Sequence, residues 1–588
     1  MSDPIVVDCH SHVFNAEDLP VDGFIKRLSP LPSLLTGVFS VPLDLLTQWV
    51  APGSGETELL LGLLGAGGGL ETLAAPAAAP ATGTELISDA ELDARLATLL
   101  PQPPAAATES LGVGAGAVGD VDAAVEGAIA AASPEQLAEL TDWLASWGSP
   151  LPDAAAADGL ELLSVPWSVR AAAVRAAAKR YLAVLRLATR HRHRIASELA
   201  TTYPEVSLFV PALVDFTHTA RDHPATDVPA QITVHSLVAK LSITGGIPEA
   251  PDTRFHPIVG YCPYREIATS ELRDWDPVQD DDCPYIPYAD PLAAAEQDRS
   301  GPGLRYDPAR ARPLRPPVGE GPAARLDLGG VERSLDLVRH AVELGGFVGV
   351  KLYPPAGYLP LDNVTRFGER VGGRLDAALR ALYSYCEVEQ VPILTHAAAS
   401  NGFEPGYDDL AAPTGWATVL AEFPDLRLCF GHFGHLHGVG EDGTPADGSW
   451  PSRFMRLIDR YPHVYADVGN AHFISSEEQI VRYRQLLVSL LGPRETSEPV
   501  FLARRRRVMF GTDFWMNLTG PDYAGYLQAF HQEIGATLGE RARQDFMGAN
   551  ALRWLGFTGQ DDEPDEANRN RRRLLAFYGT QPPPSWLA

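Results

Sequence analysis

The chain opens on two histidines spaced one residue apart, in Asp8-Cys9-His10-Ser11-His12. In an extended strand residues i and i+2 project to the same side. Two imidazoles so placed at a strand's end can chelate one metal ion from one face. A second such pair, His191 and His193, falls on what reads as an exposed helix, where i and i+2 diverge. Three further segments end an apolar run in a ligand type. PILTHAAAS does so at His396, LRLCFGHFGH at His432 with His435 three residues on, and RVMFGTDF at Asp513. A single buried His or Asp is commonly a satisfied core or capping group. Four strand ends that all finish in His or Asp point to a metal centre instead. Three or four N/O ligands with one open position suit Zn²⁺, with Mn²⁺ or Fe²⁺ as the other choices.

The elements that must position these residues follow a regular rhythm. Short β-rich runs are expected at Ile5–Asp8, Val206–Asp215, His256–Tyr261, Phe347–Tyr353, Pro392–His396, Leu426–His432, Val464–Val468 and Arg507–Asp513. Helical patterns separate most of them, among them Val331–Leu344, Val364–Cys386 and Glu477–Leu491. Eight apolar strands alternating with helices predict an α/β chain folded as a parallel (β/α)8 TIM barrel, whose catalytic groups sit at the C-terminal ends of the strands. The barrel is expected from residues 1–20, 201–265 and 330–558. A large, mostly helical, Ala/Gly-rich insertion at 21–200 follows strand 1 and could fold as a lid. It would include a long basic helix from Trp167 to Ala200, lying against the acidic part of the insertion or in solvent. A second insertion, Pro/Asp-rich, spans 266–329 after strand 3, and 559–588 reads as a polar C-terminal extension.

Acidic residues number 75 against 47 basic ones, a formal net charge of −28. Such a surface repels phosphate backbones and anionic lipid, so nucleic acid and membrane are not expected partners and a small-molecule substrate is. The five cysteines are scattered, with no CxxC pair, which fits a reducing compartment better than a disulfide scaffold. With no secretory signal at the start and no uninterrupted apolar span, the expected location is cytoplasmic. Cys9, between two candidate ligands, reads as a packing residue.

Taken together, the motifs resemble the amidohydrolase superfamily, and within it the branch related to aminocarboxymuconate-semialdehyde decarboxylase. DCHSH is similar to that family's first-strand DxHxH, THAAAS to the fifth-strand histidine segment, GHFGH to the sixth-strand GHxG, YADVGN to the seventh-strand segment and FGTDF to the eighth-strand GTD. FMGANALRWLGF resembles its closing helix, and both insertions lie outside the likeness. The resemblance implies one or two divalent metals per chain, with His10, His12, His396 and Asp513 binding the first. His432 would bind a second metal or polarise the substrate. Lys351, in GFVGVKLYPP and one of four lysines in the chain, stands where binuclear members carry a lysine carboxylated by CO₂. In mononuclear relatives the same lysine stays an ammonium.

By the same resemblance Asp513 and His432 are the catalytic pair, acting with a metal-activated water on an amide, lactam, ester or related bond. A metal-dependent non-oxidative decarboxylase is the alternative, and a non-catalytic binding protein on the same barrel the third reading. Residues placed to hold substrate or support the ligands are Asp8, Tyr264, Arg265, Tyr353, His435, Asn470, His472 and Trp515. Arg265 could anchor a substrate carboxylate or pair with the acidic 266–329 loop. Homodimers are common among such relatives.

Overall fold

In the computed structural model the described residues are 5–19, 53–65, 187–218, 224–247, 250–269, 311–400, 402–471, 477–518 and 523–588, with Ser133, Val184, Tyr306, Pro308 and Ile474 as single positions. They form an α/β fold built on parallel strands. β1 (Val6–Ser11), β2 (Val206–Pro211) and β3 (Arg254–Phe255) make one sheet. β4 (Ile258–Gly260), β5 (Gly349–Leu352), β6 (Ile393–His396), β7 (Leu428–Gly431), β8 (Val464–Asp467) and β9 (Val508–Met509) make the other.

Hydrogen bonds join the two sheets at both edges. Leu213 N donates to Ile258 O at 3.0 Å on one side, and Cys9 N donates to Phe510 O at 3.3 Å on the other. The third expected strand is split into β3 and β4 at His256-Pro257. A proline has no N–H to give the ladder, and here the pairing passes from β2, on which β3 lies, to β5, on which β4 lies.

Helices follow the strands much as the periodicity predicts. α1 (Gly53–Gly65), α2 (Arg192–Thr202), α3 (Val228–Ile243) and α4 (Pro263–Thr269) come before β5. α5 (Ser334–Leu344) precedes β5 as well; α6 (Val364–Glu389), α7 (Thr414–Glu422), α8 (Trp450–Arg460) and α9 (Glu477–Leu491) separate β5 to β9. α10 (Tyr526–Leu538) and α11 (Arg569–Tyr578) come after. α3 shows why such a helix starts where it does. Asp227 caps it, accepting from Ala230 N at 2.8 Å, and a proline occupies its first turn.

Two expectations are corrected. The basic helix expected from Trp167 is interrupted at 189–191: Leu187 and Ala188 are helical, a new helix starts at Arg192 with His191 extended as its N-cap, and most of the expected stretch before residue 187 lies outside the described residues. His191 and His193 are buried rather than exposed, with their ring centroids 5.6 Å apart, and both face Glu56 of α1. The C-terminal extension, read as polar, contributes residues to the core. Tyr578, Trp586 and Leu587 join Val7, Leu208, Leu394, Cys429 and Met509 in one buried cluster. Asn570 also donates to Val348 O at 3.0 Å and Leu555 O at 2.9 Å. Cys9 lies in the same cluster, a packing residue whose thiol burial pushes up. The lid expected within 21–200 lies largely outside the described residues. Its described helices, α1 and most of α2, pack on α3. Among the described residues no helix is long and apolar enough to cross a membrane.

Candidate metal centre

The C-terminal ends of β1, β5, β6 and β7, with the turn after β9, converge on one pocket. His10, His12, Lys351, His396, His432 and Asp513 all line it. All six are buried, so every donor and acceptor among them must find a partner within the site.

The partners on the outer side of each ring decide what faces inward. His10 Nδ1 lies 3.2 Å from the Asp467 carboxylate, so Nδ1 carries the proton and Nε2 presents a lone pair. His12 Nδ1 donates to Ala212 O at 2.7 Å, leaving its Nε2 lone pair 3.0 Å from Asp513 Oδ1. His432 Nδ1 donates to Gly469 O at 2.9 Å, leaving its Nε2 3.1 Å from His396 Nδ1. Three imidazoles thus turn lone pairs towards a carboxylate, an amine and a fourth imidazole. A bare lone pair facing a carboxylate at 3.0 Å repels unless a proton or a cation lies between them. The donor set therefore fits a divalent metal. His10, His12 and Asp513 form a group whose ligand atoms all lie within 4.8 Å of one another, as do His10, His432 and Asp467. In the second group Asp467 already accepts from His432 N at 3.0 Å and Gly469 N at 2.9 Å, which suits an orienting role.

Charge in the site follows from burial. Desolvation pulls His432 down to about 3 and His396 well below the usual imidazole range, so both are neutral bases ready to ligate. Burial also pulls the Lys351 ammonium down to about 8, against the opposing charges of Asp467 and Asp513. Its Nζ is 2.9 Å from His10 Nε2. For Asp513 burial alone would raise the carboxyl, but its contact with His12 and the neighbouring His10 and His432 outweigh it and hold it well below the ordinary value.

Local backbone strain concentrates here. His432, Phe433, His435, Asn470 and Asp513 all have φ between +46° and +67°. Such conformations cost free energy in non-glycine residues and persist only where surrounding contacts impose them. Around His10 the chain can afford no side chain at all. A Cβ on Gly431, Gly469 or Gly511 would sit 2.9–3.1 Å from a His10 atom.

The other expected residues separate into two groups. Tyr353 and Trp515 line the pocket, the Tyr353 ring centroid 4.8 Å from that of His396. His435 lies beside His432 and its Nε2 is 3.1 Å from Gly469 O, while Asn470 sits half-buried in the same turn, its N donating to Thr512 O at 3.3 Å. Arg265 is turned to Asp215, donating through Nε at 2.5 Å and Nη2 at 3.1 Å, and to Thr217 at 2.6 Å. The guanidinium is thus paired with Asp215, and much of the acidic 266–329 loop, the other expected partner, lies outside the described residues. Tyr264 donates to Gly357 O at 2.8 Å. Asp8 lies beneath the site, accepting from Thr512 Oγ1 at 2.6 Å and His10 N at 3.2 Å, and burial lifts its carboxyl to about 7. His472 lies outside the described residues.

Asp467 is a residue of this cluster that sequence reasoning passed over. Its signal was present, since VYAD ends an apolar strand in an acid just as FGTD does. The carbonyls of Ala212 and Gly469, which orient His12 and His432, leave no mark in side-chain types.

An α/β fold whose strand ends gather buried histidines and an aspartate into a donor set that fits a divalent metal is the class defined so far. Residues 252–557, just over half of the 588, match the family model described as Amidohydrolase, and the chain belongs to that family, which generally binds divalent metals. The match leaves out His10 and His12, which the fold brings to it. No curated protein matches the chain. Among solved structures, it is similar to an uncharacterized TIM-barrel protein from Bordetella bronchiseptica at 15% identity, covering 61% of this chain and 81% of that one, with a TM-score of 0.30. An amidohydrolase from Burkholderia multivorans with bound HEPES shares 15% identity over 36% of this chain and 65% of that one, with a TM-score of 0.26. The same enzyme with bound zinc gives 13% identity, 36% and 64% coverage and a TM-score of 0.24.

Proposed function

We propose that this chain is a metal-dependent hydrolase whose nine strand segments act as one closed eight-stranded barrel, β3 and β4 counting as one strand. His10, His12 and Asp513 would hold the metal, most simply Zn²⁺, with His396 completing the set. The observation that carries this reading is the inward lone pair of His12 held 3.0 Å from Asp513 in a buried site.

A bound metal would polarise a substrate carbonyl and bring the pKa of a water towards neutrality. The protein's own groups do the rest. Asp513, kept ionised, takes the proton of the attacking water and passes it to the leaving group. Asp467 fixes the His10 tautomer, and Gly469 O fixes that of His432. Because the His432 N–H is spent on Gly469, its Nε2 serves as ligand or proton acceptor, not as donor to an oxyanion. Lys351, its ammonium pulled down to about 8, would suit either a carbamate that helps hold a second metal or an ammonium hydrogen-bonded to His10. The decarboxylase reading loses its expected carboxylate anchor, since Arg265 is spent on Asp215.

Elemental analysis of protein purified without chelators tests the assignment, together with turnover of an amide, lactone and ester panel. One or two equivalents of metal, with turnover reduced roughly 10²–10⁴-fold by Asp513→Asn, is the expected result. Protein without metal, or turnover indifferent to that change, overturns it.

A further inference from the structure

Beyond its polar floor the candidate active site is aromatic on two sides. Phe14 and Trp515 each stand two residues beyond a candidate ligand, His12 and Asp513. Their rings stack at 4.9 Å and 8° to form one slab. Facing inward from the ends of β2 and β5, Phe216 and Tyr353 meet edge to face at 5.8 Å and 79°. Leu19 and Leu213 continue the lining.

Among the described residues, charge is handled so that little of it reaches this space. Asp18 is on the lining, but both its oxygens are taken by Arg192, at 2.5 and 2.9 Å. The Arg265 guanidinium is likewise paired with Asp215. Among the described lining residues the single lysine or arginine is Lys351, buried in the floor against His10.

A flat apolar group entering such a cleft gains area burial and ring contacts. A carboxylate entering it loses hydration and meets no unpaired Arg or Lys beside the rings among the described residues. We propose that the substrate is a neutral carbonyl compound carrying an aromatic ring next to the scissile bond. The Phe14–Trp515 slab and the Phe216–Tyr353 pair would hold that ring. The inference rests on this pocket being the active site.

Binding tests it without turnover, using the full chain with its metal content measured. Ligand-observed NMR titration would compare phenylacetamide, acetamide and 4-(carbamoylmethyl)benzoate. Phenylacetamide is expected to bind at least tenfold more tightly than either of the others. Phe14→Leu and Trp515→Phe, mild enough to keep the fold, should each weaken it at least threefold relative to acetamide. Equal or tighter binding of the benzoate overturns the proposal, as does phenylacetamide binding that neither variant changes. Selective phenylacetamide binding in a protein without metal-dependent hydrolysis would sink the hydrolase reading and leave this inference standing. Turnover that favours carboxylate-bearing substrates would do the reverse.

Discussion

Asp467 at the end of β8 lies 3.2 Å from Nδ1 of His10 at the other end of the chain, and both are fully buried. The carboxylate can only accept, so it holds the imidazole in the tautomer that turns Nε2 inward. Burial alone would raise the Asp467 carboxyl, but His10, His432 and their hydrogen bonds reverse the direction and keep it ionised. Replacing Asp467 with Asn keeps the shape and removes that constraint. Metal affinity should fall by about 10–100-fold while the far-ultraviolet circular dichroism is unchanged. Competition with a chromogenic chelator reads the affinity, and an unaltered value would show Asp467 to be a spectator.

His10 is also held by what is missing around it. The Cβ of Gly511→Ala would sit 2.9 Å from the His10 Cβ, a distance that forces one of them to move. Overpacking of this kind costs about 1–3 kcal/mol. Thermal unfolding should therefore shift down, and metal binding should weaken with it. A variant of wild-type melting temperature and metal affinity would mean the neighbouring strand relaxes freely.

Helix α1 of the insertion is tied to the site by a buried ion network. Glu56 of α1 accepts from Arg192 at 2.9 Å and from His193 N at 3.1 Å, while Arg192 also holds Asp18 on the pocket wall. Burial alone would raise Glu56, but bonds from His191 and His193 and the Arg192 charge hold it well below 4.5. A depressed carboxyl contributes stability above its unfolded pKa, lost as pH falls through the folded one. Glu56→Gln leaves Arg192 short of a charge partner and should cost about 3–5 kcal/mol near neutrality. The gap between wild type and variant should narrow as pH drops below about 4.5. Melting curves from pH 3 to pH 7 check both the size and the sign.

At the opposite end of the strands, the C-terminal residues act as a plug. Trp586 stacks near Phe557 at 5.8 Å and is only 7% exposed. Trp586→Ala should lower stability by about 3–5 kcal/mol in a denaturant titration, with metal content per folded chain unchanged. A loss below 1 kcal/mol would return the segment to the status of a surface tail.

Much of this molecule is legible along the chain. Apolar runs punctuated by helical periods mark the strands and most helices, because burial on both faces leaves a local trace in residue type. For the same reason His10, His12, His396, His432 and Asp513 stand out, each a polar ligand where an apolar strand emerges. Other features depend on partners hundreds of residues away. The tautomers of His10, His12 and His432 follow from Asp467, Ala212 O and Gly469 O. Arg265 reads as a free anchor until Asp215 is seen to hold it, and His191 and His193 read as surface residues until Glu56 is placed beneath them. The terminal helix looks polar because four of its arginines hide a narrow face of Leu574 and Tyr578. Residue type records what a side chain can do. Tertiary contact, by satisfying one end of each polar group, determines which end remains for chemistry.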